Sequence, residues 1–246
     1  WKAAERFTTE ALDDPQKRVW ERMFAPILRG WIAVGRKDRA GVLAAMPADN
    51  AIVHPTMRGH EGLMLLALGD KRGAAAVADA LRPTDRISQI AAAQLVLELQ
   101  QAGVKREADA LRARVRLLDD GQGDPELALP ARRVNNPAAG LAHWFAPMAA
   151  SFARTSELAS PFGETLARSA LTLDSHHWGA RLMLAKDYQS YRRYDEALAL
   201  LGSKKDMPPV ARLLRAEILL EKGEVAAAMA EADLAIAGSD VPRDLL

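Results

Sequence analysis

HHWGARLMLAKDYQSYRRYDEALALL, residues 176–201, is the stretch whose reading decides the fold. Leu182, Ala185, Tyr188 and the pair Leu198/Leu201 recur at the i, i+3, i+4 spacing of one helical face, with a break near Tyr191–Arg193. That pattern predicts two helices joined by a tight turn. The preceding ALTLDSHH, Ala170–His177, reads as the end of the helix before them.

The same beat runs upstream. Gly35, Gly69 and Gly103 are spaced 34 residues apart, each at the end of an apolar-periodic segment. Ala40, Ala74 and Ala108 follow, each five residues after its glycine. A glycine there can take the left-handed turn between antiparallel helices, and a small residue five later lets the second helix approach the first. Three positions in register predict an internal repeat. The implied helix pairs are 18–34 with 37–46, 55–68 with 71–81, and 85–102 with 105–118. Pro26 lies inside the first of these and predicts a kink or a late start.

The interval then lapses. Residues 119–137, DDGQGDPELALPARRVNNP, carry three Pro, two Gly and two Asn and read as a long connection. Beyond it, 138–154 and 161–173 form an irregular pair, followed by the 176–201 pair. The last pair is 210–222 with 224–237, where Gly223 and Ala228 restore the five-residue interval.

This arrangement resembles the tetratricopeptide repeat family. Leu184-Ala185 stand at the close helix contact, Tyr188 one turn on, and Tyr194-Asp195-Glu196-Ala197-Leu198 open the second helix. Ala11-Leu12-Asp13-Asp14-Pro15 is similar to the family's repeat ending, and Ala3–Leu12 then reads as the second helix of an incomplete repeat. Arg192 replaces the turn glycine in the best unit, and the early units lack the Tyr. The likeness covers most of 1–120 and 161–237 and is greatest to large alphaproteobacterial members, many of them exported.

The resemblance implies an all-α fold, a right-handed α-solenoid of about six antiparallel helix hairpins. It places them in two stacks, 1–118 and 138–246, joined by 119–137. It also implies a non-catalytic scaffold or adaptor that holds a partner protein or peptide in its concave face, which the first helix of each pair lines. Counting back from the turns puts Arg22, Arg29, Thr56, Leu63, Leu66, Leu97, Gln100, Gln101, Lys186, Gln189 and Glu217 on that face. These residues do not match the Lys/Asn/Arg clamp by which some members hold a C-terminal carboxylate, so that activity is not carried over.

Composition bounds the alternatives. Apolar residues make up 49% of the 246-residue chain, enough for an ample core, and aromatics only 5%. The 33 basic and 32 acidic residues nearly cancel, so net charge points to neither nucleic acid nor an acidic membrane. Zero cysteines exclude a disulfide framework, a thiolate nucleophile and a zinc–thiolate site. No apolar run approaches the roughly 18 residues of a membrane span. Trp1 opens the chain inside a helix-like stretch, which reads as a chain lacking its native N-terminus. Periplasm or cell envelope and cytoplasm both stay open.

Few residues suggest chemistry. His143, Trp144, Phe145 and Phe152 beside Pro147 read either as a core or as a pocket of a small-molecule or lipid carrier. His54 and His60-Glu61 are wrongly spaced for a helical ligand pair, and no HExxH pattern exists, so no metal and no cofactor is expected. Asp119, Asp120, Asp124 and Glu126 lack the alternation and final glutamate of a calcium loop. Lys105, Arg106, Arg112, Arg114 and Arg116 make one helix basic, but Glu107 and Asp109 interleave and no aromatics stack among them. Glu157 and Glu164 are the nearest pair of acids, in an expected loop. No phosphate loop or G-x-S-x-G elbow occurs, and the chain reads as no enzyme. Self-association through apolar end faces also stays open.

Overall fold

The computed structural model describes residues 6, 18–46, 54–116, 132–155, 160–202 and 207–237, with backbone alone at 18–23, 54–56, 116, 153–155 and 160. The expected helix at 3–12, most of the 119–137 connection, Glu157, and the side chains of Arg22 and Thr56 lie outside what is described. The described residues are all-α. They form α1 (Arg18–Gly35), α2 (Arg39–Ala45), α3 (His54–Ala67), α4 (Lys71–Ala80), α5 (Arg86–Gln101) and α6 (Lys105–Arg116). Then come α7 (Pro137–Thr155), α8 (Ser160–Leu173), α9 (Trp178–Ser190), α10 (Tyr194–Leu201), α11 (Pro209–Glu221) and α12 (Val225–Ala237). No strand occurs among them.

The chain divides into two compact units, Trp1–Leu127 with Ala131–Pro147, and Ala128–Pro130 with Met148–Leu246. The division runs through α7 at its internal proline, Pro147, a residue that cannot donate to the helix ladder.

In the first unit, α1 packs on α2, α3 on α4 and α5 on α6, while α3 also packs on both α1 and α5. Small residues set how near the first helices come. A Cβ on Gly59 would lie 2.7 Å from the Ala91 Cβ, and one on Gly62 would lie 2.7 Å from a Leu95 methyl. Trp31, Ile27, Leu63, Met64, Leu95, Leu99 and Leu111 are fully enclosed there. Their burial removes apolar area worth about 25 cal/mol per Å².

The turns correct the sequence reading at one place. Gly69 and Gly103 take the left-handed conformation, with φ of 81° and 82°. Their amides bond back to Leu66 and Gln100, and the next amides to Leu65 and Leu99, a Schellman closure. In the first pair this geometry falls not on Gly35, which ends α1, but on Lys37 at φ 57°. The Asp38 amide closes on the Ala33 carbonyl. The small buried position five residues on is therefore Val42, and Ala40 is exposed. The turn-to-turn interval is thus 32 residues and then 34. A side chain held left-handed costs roughly 1 kcal/mol, which the packing of α1 on α2 absorbs. Arg192, also at φ 57°, does the same between α9 and α10.

The second unit packs α9 on α8 and α10, and α11 on α9, α10 and α12. Its core joins Leu182, Ala185, Tyr188, Ala197, Leu201, Met207, Ala211, Leu214 and Ile218. Ala197 and Ala228, five residues after Arg192 and Gly223, are buried where the repeat predicts small residues. Arginines close the helix ends: Arg215 Nη1 donates to the Gly202 carbonyl at 2.8 Å, and Arg181 Nη1 donates to the Leu200 carbonyl at 2.6 Å. These carbonyls lack helical partners, so a cation there answers both their hydrogen-bonding need and the negative helix end. Arg114 does likewise in the first unit, donating to the carbonyls of Ala78, Asp79 and Leu81 at the end of α4.

Candidate functional site

A polar recess lies in the second unit. Its outline follows from the α9–α10 turn. Helix α9 buries Leu182, Ala185 and Tyr188, which leaves Lys186, Gln189 and Ser190 on its other face. The turn then carries Arg192, and Tyr194 opens α10. Glu221, the last residue of α11, completes the lining of an open cleft of about 600 Å³.

Five contacts tie together the elements around this cleft. Gln189 Nε2 donates to Glu221 Oε1 at 2.7 Å, tying α9 to α11. The Arg193 guanidinium lies 4.5 Å from the centre of the Tyr188 ring, and Arg168 Nη2 donates to the Tyr188 hydroxyl at 2.5 Å. This holds the turn against the core by cation–π attraction. Lys222 Nζ bonds to Asp195 and to Glu224, each at 2.8 Å, and these two carboxylates raise its pKa above the ordinary lysine value.

Lys186 and Arg192 are exposed, and no described contact engages either. The cleft therefore presents two open cations, one carboxylate already bonded to Gln189, the Tyr194 hydroxyl, and the Ser190 hydroxyl, which donates to the Asp187 carbonyl. Such a lining can hold the carbonyls of an extended peptide and pair with an acidic side chain.

The structure thus brings Lys186 and Gln189, two residues expected on the binding face, into one recess. Glu217 is exposed on α11, one turn before Glu221. In the first unit Arg29 and Gln101 are exposed, Leu66, Leu97 and Gln100 are half-buried, and Leu63 is fully enclosed in the core. Arg192, Tyr194 and Glu221 were not expected on the binding face; the sequence singled out Arg192 and Tyr194 only as positions of the repeat. Arg192 carried a readable signal, since a basic residue standing in a glycine position must project from the turn.

The aromatic group around Pro147 is divided. His143, Trp144 and Phe145 belong to the first unit, and Phe152 to the second, where it meets Phe162 edge-on at 5.0 Å. Trp144 is only 2% exposed, 6.5 Å from Phe24 and 5.2 Å from His60 between ring centres. Phe145 lies 6.4 Å from Phe24, and His143 5.5 Å from His60. Trp31 Nε1 donates to His60 Nδ1 at 3.4 Å. Gly140 lies flat against Trp31, where an added Cβ would sit 2.1 Å from the indole. Burial among these rings lowers the pKa of His60 to about 3, so the imidazole stays neutral. The Trp144 indole N–H has no hydrogen-bond partner among the described residues.

A second buried polar group fastens the segment that leads into α7. Glu98, 4% exposed, accepts from the Val134 amide at 2.7 Å and from Arg133 Nε at 3.0 Å. Beside it Gln94 donates to the Arg132 carbonyl at 2.8 Å. Sequence offered a signal here, because Glu98 is the lone carboxylate within the apolar run of α5. Among the described residues no three His, Asp or Glu are placed to hold a metal ion, and no helix is long and apolar enough to cross a membrane. Neither a family model, nor a curated protein, nor a solved structure matches the chain.

Proposed function

We propose that this chain is a non-catalytic adaptor of the tetratricopeptide type, a right-handed α-solenoid that holds a partner polypeptide against the first helices of its hairpins. The cleft of Lys186, Gln189, Arg192, Tyr194 and Glu221 carries this reading. It supports the reading because its groups are cations and hydrogen-bonding side chains that suit an extended peptide with an acidic residue. The serial packing of α1, α3 and α5 in the first unit, and of α9 and α11 in the second, supports the solenoid.

The test is native capture of partners on the full chain, followed by mass spectrometry of proteins and small molecules, with a Lys186→Ala/Arg192→Ala variant alongside. A stoichiometric polypeptide that is lost on the variant is the expected result. A lipid or metabolite retained without any polypeptide overturns the adaptor and favours a carrier.

A further inference from the structure

The near-zero net charge of the whole chain conceals a regional imbalance. In the first unit the turns at 36–39, 70–72 and 105–107 read RKDR, DKR and KRE, seven cations against three carboxylates. These turns are neighbours in space. Arg39 Nε donates to Asp70 Oδ2 at 2.6 Å, linking the first turn to the second. Lys71 Nζ donates to the Ala102 carbonyl at 2.7 Å, linking the second to the third.

The three carboxylates are already engaged. Asp38 and Asp70 accept the amides of Gly41 and Gly73 as helix N-caps, at 2.9 Å and 2.8 Å. Glu107 accepts from Arg106 at 2.6 Å. By contrast, Lys37, Arg72 and Lys105 are all exposed; Arg72 acts electrostatically on Asp70, while the side chains of Lys37 and Lys105 make no described contact. The edge therefore presents an exposed cation near each of the three turns.

The pattern selects among polyanions. Single-stranded nucleic acid gains much of its affinity by stacking on aromatic rings, and the three turns hold none. The aliphatic side chain next to them, Val104 in the third turn, is half-buried and so is not presented to a membrane.

We propose that these turns form a docking edge for an acidic polypeptide segment. It is a surface separate from the cleft of the second unit and rests on different residues. Its strength comes from charge complementarity, so it acts chiefly on association rate and fades with salt.

The experiment is fluorescence anisotropy of the full chain with a labelled peptide of Glu-Gly-Ser repeats, across a salt series. Lys37→Glu, Arg72→Glu and Lys105→Glu combined should weaken binding about 30-fold at low salt, with the helical circular dichroism kept. The corresponding three Gln substitutions, which keep the surface uncharged, should give an intermediate loss of about 5-fold. Affinity within about twofold of the parent in the folded Gln variant overturns the proposal. So does tighter binding of a uridine oligonucleotide, or of phosphatidylserine vesicles, than of the peptide.

Discussion

The cores of the two units differ in how their helices are held together. The first unit relies on contact without slack: glycines stand directly against neighbouring groups, with Gly59 against Ala91, Gly62 against Leu95 and Gly140 against Trp31. At its centre sits a neutral His60 ringed by Trp31, His143 and Trp144. The second unit has an Ala/Leu core and secures its periphery with arginines. Arg212 and Arg215 share the carboxylate of Glu231 at 3.1 Å and 3.0 Å, and Arg215 reaches on to the Gly202 carbonyl. The difference teaches where each unit can tolerate change. Close packing fails steeply when an atom is added, whereas a network of half-buried charges loses strength by steps.

The largest effect should come from a single methyl group. Gly140→Ala places a Cβ within the van der Waals envelope of Trp31, which is fully enclosed and has nowhere to turn. A loss of about 3 kcal/mol is expected in chemical denaturation. A variant as stable as the parent would break the account of the first unit's core.

Next comes acid sensitivity of the same core. Folding lowers the His60 pKa from 6.5 to about 3, so between these values the unfolded chain takes up the proton and the folded chain does not. This contribution is therefore whole above pH 6.5 and drains away as pH falls toward 3. Between pH 7 and pH 4.5 the parent should lose about 2–3 kcal/mol more than His60→Phe, measured by denaturant midpoints. Parallel pH profiles for the two proteins would remove His60 as the cause.

The smallest effect should fall in the second unit. Arg215→Ala removes two donors to helix-end carbonyls and one partner of Glu231, but Arg212 keeps that carboxylate paired. A loss of about 2 kcal/mol is expected. If it exceeded that of Gly140→Ala, the contrast between the two cores would be reversed.

Much of this was legible before any coordinates. Helix pairs, their breaks at Gly69, Gly103 and Gly223, and the small buried residues Ala74, Ala108 and Ala197 follow from period and residue size. The exposure of Lys186 and its company with Gln189 were legible too, because the apolar face of α9 leaves them no other side. The register of the first turn was not. Gly35 offered the easier left-handed residue, yet the packing of Val42 placed the turn on Lys37 instead.

The sequence by itself determined most of the elements: the helix pairs, the small residues between them, and an all-α character that the described residues show. Those are local matters, governed by spacing along one helix and by the backbone freedom of single residues. Only the tertiary structure decided which distant groups meet. It set His60 beneath Trp31 and Trp144, Glu98 on the Val134 amide, and Glu221 opposite Gln189 across the cleft. It also aligned three basic turns that sequence spreads over about seventy residues. Periodicity along a helix carries no record of its neighbours, whereas burial, pairing and the charge of a surface depend on which helices lie side by side.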